Sequence, residues 1–245
     1  MNILQDQQRF RSAKPSMLGR GLERLTHPFG KALASVVPTS LVESILTGID
    51  RAVSAPQLVE FSHDVSDLRA CQEAAERTVR TARGISASTG AAAGLGGALS
   101  MGLDIPATIA VALRLIRDTG RAYGYSGDGS AEKLFRLQVL ELSAIDDPEI
   151  RADRIAALEH AIGSNGQLVH ADHEHIAPVI DQAVERVSRA IAFASFRSRA
   201  GMLVPVAGSI VGGLVNASFQ KDVGRAARFA FQERRLRQSE PFAMS

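Results

Sequence analysis

Histidine and carboxylate crowd together in HADHEH, where His170, His173 and His175 stand beside Asp172 and Glu174. Imidazole and carboxylate are the usual ligands of zinc and other transition metals. On a helix His170 and His173 share a face, but His173 and His175 do not. A zincin-type H-E-x-x-H starting at His173 needs a second histidine at 177, where the chain has Ala177. The spacing therefore favours a solvated loop running into a helix start, and no metal is expected.

Covalent chemistry finds little support. No serine lies in G-x-S-x-G; Ser100 in ALSMG lacks the first glycine, and Ser126 sits in a turn with no base beside it. The lone Cys71 reads as a core thiol. The glycines match neither G-x-x-x-x-G-K-[ST] nor G-x-G-x-x-G and no βαβ context exists, so phosphate cradling by a glycine loop is not expected, nor is a cofactor. With two Tyr, no Trp and scattered Phe there is no stacking platform, and no nucleic-acid partner is expected. Three polar positions remain as candidates. Asp104 borders an uncharged run and reads as a helix cap before Pro106. Asn216 lies inside a second such run and reads as a buried amide in need of partners. Tyr123 reads as an amphipathic residue at the core edge.

These residues sit on a pattern that is helical throughout. The first uncharged run, Gly84–Leu103 apart from its small polar residues, is rich in Gly and Ala; the second is Ala200–Gln220. Two readings of them stand. They pair as a small-residue hairpin inside a helical core, with Gly94, Gly97, Gly208 and Gly212 at the contact, or they enter a bilayer. Around them the apolar spacing predicts a helix over Leu41–Val53, opened by a capping box at Ser40 and Glu43. A second is predicted over Asp64–Arg83, with Val65, Leu68, Ala75 and Val79 inward and Gly84 as its stop. A third runs from Ile105 to about Tyr123, with Arg114, Arg117 and Arg121 on one polar side. Ser130 caps a fourth, Asp147-Pro148-Glu149 starts a fifth that Gly163 ends, and Ile176–Arg199 and Val223–Arg237 complete the set. The expected fold is all-α: a single helical bundle with a buried glycine-rich, small-residue core.

The net charge of +2 is unevenly spread. Residues 1–35 carry six Lys/Arg against two acids, residues 220–238 again six against two, and the stretch between is net acidic. Basic ends suit an anionic partner. In the closing helix Lys221, Arg225, Arg228 and Arg235 recur on one side and are candidates for contact with a membrane surface; the N-terminal arm adds to them if it lies on the same side. Asp6, Arg9 and Arg11 with no apolar run behind them argue against a signal peptide, and one cysteine fits a reducing, cytoplasmic compartment. The expected organisation is a basic arm over 1–35, loose over residues 1–16, a helical domain over 36–238 and a tail over 239–245.

The order of several weak motifs resembles the EcsC family of bacterial proteins, named for a gene encoded beside an ABC transporter. The likeness starts with the glycine-rich run ending Asp104-Ile105-Pro106 and continues through Leu113-Arg114-Leu115-Ile116 to Tyr123-Gly124-Tyr125. It resumes at Pro205-Val206-Ala207-Gly208, Gly212-Gly213 and Asn216, then Val223-Gly224, Ala227 and Arg234-Arg235-Leu236. The resemblance implies a helical protein and supplies no catalytic residues to transfer; some members carry a hydrolase label. The expectation is an interaction or accessory protein at or near the cytoplasmic membrane, with an anionic membrane surface or a membrane protein complex as its partner. A hydrolase with a site near Asp104 and Asn216, and a membrane-inserting helical hairpin, are the alternatives.

Overall fold

The computed structural model describes residues 3–12, 39–95, 101–145, 147–169, 173–200 and 208–239. Side chains are described there except at 40, 89–95, 101–106, 173–177, 192–200, 208–216 and 239. The described residues form eight α-helices and no strand: α1 (Ile3–Arg11), α2 (Thr39–Ser54), α3 (Leu68–Leu95), α4 (Met101–Ala122), α5 (Ser130–Ala144), α6 (Pro148–His160), α7 (His173–Ala200) and α8 (Gly208–Ser239). The all-α class is as expected. Most of the two small-residue runs falls outside the described side chains, Gly94, Gly97, Gly208 and Gly212 included.

Helix α8 is the hub, packing on α1, α3, α4 and α5, and most extensively on α3. Partners along that pair run in opposite directions: Arg235 reaches the Val65 carbonyl, Arg228 pairs with Glu76, and Gly224 meets Val79. The two helices are therefore antiparallel. A Cβ at Gly224 would lie 3.0 Å from Val79 Cγ1, so glycine is what allows the backbones to approach this closely. The middle of helix α4 is enclosed, with every residue from Leu115 to Gly120 buried. Its Leu113 and Ile116 join Ile45 of α2, Phe135 and Leu137 of α5 and Phe231 of α8 in the core.

Local chemistry sets several ends. Asp147 accepts from the backbone N–H of Glu149 and Ile150, with Pro148 opening α6 as expected. Helix α4 ends in a Schellman turn: Gly124 has φ +88°, its N–H reaches Arg121 and the Tyr125 N–H reaches Gly120.

Other ends differ from the sequence reading. The cap of α3 is Asp67, which accepts from Arg69 and Ala70, while Asp64 closes a turn onto Ser66. Val65 consequently lies in the preceding loop, exposed. Gly84 does not stop α3, because packing on α8 carries the helix on to Leu95. Gly129, with no side-chain bond, occupies the cap position expected for Ser130. Helix α6 stops at His160 rather than Gly163, and α7 starts earlier, at His173. Helix α4 starts at Met101, so Asp104 lies within it rather than at its cap. Within the arm expected to be loose, residues 3–11 form α1, seated on α8.

A basic cleft as the candidate functional site

Helix α1 is short and polar, and two side chains anchor it. Gln7 donates its amide to the Phe229 carbonyl at 2.9 Å and to Gln232 Oε1 at 3.1 Å. Phe10 lies between the Phe229 ring, stacked at 4.4 Å, and the Arg151 guanidinium, 4.2 Å from its centroid. Arg11 adds ion pairs to Glu159 and Glu233, and Asp6 accepts from Gln72 of α3 at 3.1 Å. A nine-residue helix without such anchors is marginal in water, so these contacts are what hold α1 in place.

Held there, α1 forms one wall of a cleft of about 420 Å³ whose other walls are α3 and α8. Five cationic side chains line it: Arg9 from α1, Arg80 from α3, and Lys221, Arg225 and Arg228 from α8. Two carboxylates, Asp6 and Glu76, leave the lining with a formal charge of +3. Glu76 holds Arg228 Nη1 at 3.0 Å, and Arg228 Nε is buried without a hydrogen-bond partner among the described residues. Arg225 lies 3.7 Å from Asp222, with its side chain 43% exposed. Phe10, Val79 and Phe229 supply the apolar part of the lining, and Gln232 also contributes.

Behind Gln232 lies Tyr123, fully buried rather than at a core edge. Its hydroxyl accepts from Gln232 Nε2 at 3.2 Å. Burial pushes the Tyr123 phenol up to about 12, so it stays protonated near neutral pH and serves as a structural member of the Tyr123–Gln232–Gln7 chain. Three of the four stripe residues, Lys221, Arg225 and Arg228, meet at the cleft; Arg235 does not, and its guanidinium instead holds the Val65 carbonyl at 2.9 Å. The side chains of Asp104 and Asn216 lie outside the described residues, as do those of His173 and His175; His170 is outside altogether.

Two buried arginines were not singled out by the sequence. Arg117, placed on the polar side of its helix by periodicity, has a side chain with no exposure. It donates to the carbonyls of Ala52, Val53, Ala55 and Pro56 at the C-terminal end of α2, and pairs with Asp118 at 2.7 Å. Asp118 in turn accepts from the Leu58 N–H at 2.7 Å. Arg234 of α8 binds both oxygens of Glu132 at 2.9 and 3.1 Å, donates to the Gly166 carbonyl and lies 3.8 Å over Tyr125. The adjacent opposite charges Arg117-Asp118, next to the apolar Leu115-Ile116, were the available signal.

An α-helical core with a basic cleft defines a class of helical protein rather than a reaction. The model of the EcsC protein family matches residues 2–236, α1 included, and the chain belongs to that family. It is 19% identical to Protein EcsC of Bacillus subtilis (strain 168) over 92% of this chain and 90% of that one. It is 24% identical to the uncharacterized protein YdbA of the same organism over 60% of this chain, and the match spans about half the length of that relative, 51%. No solved structure matches the chain.

Proposed function

We propose that this EcsC-family chain is an interaction or accessory protein that works at the anionic, cytoplasmic face of a membrane, and that the α1–α3–α8 cleft is its contact with that surface. The observation that carries the reading is the gathering of five cations from three helices around one concavity. Each basic residue near an anionic surface contributes about 1 kcal/mol, an attraction that fades within a Debye length of about 10 Å at 0.1 M salt. Such a contact is reversible. No helix among the described residues is long and apolar enough to cross a membrane.

Co-sedimentation with vesicles tests this. Binding to phosphatidylglycerol–phosphatidylcholine vesicles is expected at low salt, with loss as salt rises and none to phosphatidylcholine alone. Binding that ignores both salt and lipid charge would overturn the reading.

A further inference from the structure

We infer that the cleft between α1, α3 and α8 is a pocket for a phosphomonoester, not merely a charged surface. The inference rests on the anionic-surface reading above and adds the chemistry of the occupant. Its volume, about 420 Å³, is enough to admit a small phosphorylated molecule. Four of its five cations are arginines, Arg9, Arg80, Arg225 and Arg228. Guanidinium presents a planar fork that matches the oxygens of phosphate, which a lysine ammonium does not.

One of these forks is already oriented. Glu76 holds Arg228 by Nη1 at 3.0 Å, which fixes the guanidinium at the cleft wall. Because the side chain is fixed before a ligand arrives, little rotamer freedom is lost on binding. A phosphomonoester near neutral pH carries up to two negative charges and three terminal oxygens. That fits a lining of net charge +3 reached from three directions. A phosphodiester carries one charge, and its second substituent would have to share the concavity. Phe10, Val79 and Phe229 give the carbon skeleton next to the phosphate an apolar wall. The same chemistry occurs in a phosphatidic-acid headgroup and in a free sugar or glycerol phosphate.

The test uses the full chain with three probes: vesicles containing phosphatidic acid, vesicles containing phosphatidylglycerol at matched surface charge, and soluble glycerol 3-phosphate by calorimetry. Phosphatidic acid is expected to bind about tenfold more tightly than phosphatidylglycerol, the difference made by one charge-assisted hydrogen bond. Arg80→Gln and Arg225→Gln should each weaken that binding by about tenfold with unchanged circular dichroism. Arg189→Gln, the same charge loss on α7 away from the cleft, should leave it unaltered. Stoichiometric binding of glycerol 3-phosphate, lost in the same two variants, supports the pocket even if no vesicle binds; in that case the membrane reading alone fails. Preference for phosphatidic acid without glycerol 3-phosphate binding assigns the occupant to the lipid. Equal binding to both vesicle types with no glycerol 3-phosphate binding overturns the pocket and leaves the membrane reading standing. Equal losses in Arg80→Gln and Arg189→Gln also overturn it.

Discussion

Arg117 directs its guanidinium at the carbonyls that close α2, and its charge meets Asp118, which is likewise without exposure. The end of a helix leaves carbonyls unsatisfied and carries a partial negative charge, so a buried cation there both caps and neutralises. Removing it leaves Asp118 buried beside open carbonyls. Arg117→Met is expected to destabilise the fold by about 3–5 kcal/mol in urea titration. Arg117→Lys should restore little of this, because one ammonium cannot reach four carbonyls and a carboxylate together. Full rescue by lysine would show that charge alone, not the fork, matters. Periodicity could not reveal this role: it places a residue on a face of its own helix and says nothing about whose end faces it. The Asp147-Pro148-Glu149 start was legible because the cap acts within its own turn.

Glu141 offers a second test at this scale. Its carboxyl is buried between Arg186 at 3.4 Å and Arg154 at 3.6 Å. Burial raises its pKa, and the two arginines offset this only in part. The folded state therefore holds the proton more tightly than the unfolded chain. Stability from this group is present below the unfolded glutamate pKa and declines as pH rises through the higher folded value. Relative to the parent chain, Glu141→Gln should gain stability as pH rises from 4 to 7. A stability difference that is flat or falls over that range would contradict the assignment.

At the level of elements, the packing of α3 on α8 depends on one missing side chain. Gly224→Ala would press a methyl group into Val79. The expected loss is about 1–3 kcal/mol, read from denaturant midpoints. Val79→Ala removes the two methyl groups in the way, so the double variant should be more stable than Gly224→Ala alone. Additive losses would place the close approach elsewhere. The same pair of helices explains where boundaries were misread. Gly84 resembles a stop, but contact with α8 outweighs the propensity of one glycine and α3 runs on to Leu95. Asp64 and Asp67 both resemble caps, and only the position of the first turn separates them. Helix α1 was missed because its anchors, Gln7 and Phe10, find their partners on α8 more than two hundred residues away.

At the scale of the whole molecule, the sequence showed two basic ends and a net acidic middle, each as a separate fact. Folding brings Arg9 from the first end together with Lys221, Arg225 and Arg228 from the second, and adds Arg80 from the acidic middle. Lys221, Arg225 and Arg228 were legible as a stripe and the arm as basic, with the condition that the two lie on the same side; Arg235 of the same stripe lies outside the cleft, and Arg80 was not legible. The concavity was not, because it exists only once α1 is seated across α3 and α8.

That convergence makes the cleft, rather than total charge, the expected contact with an anionic surface. The most direct measurement compares two double charge reversals in vesicle binding at low salt. Lys221→Glu/Arg225→Glu reverses two cleft cations. Arg69→Glu/Arg189→Glu makes the same change in net charge at exposed positions outside the cleft lining. The account predicts that the first pair weakens binding to anionic vesicles by at least about thirtyfold, the equivalent of two surface charges, while the second leaves it near the parent value. Equal loss in both pairs, or none in the first, would contradict it.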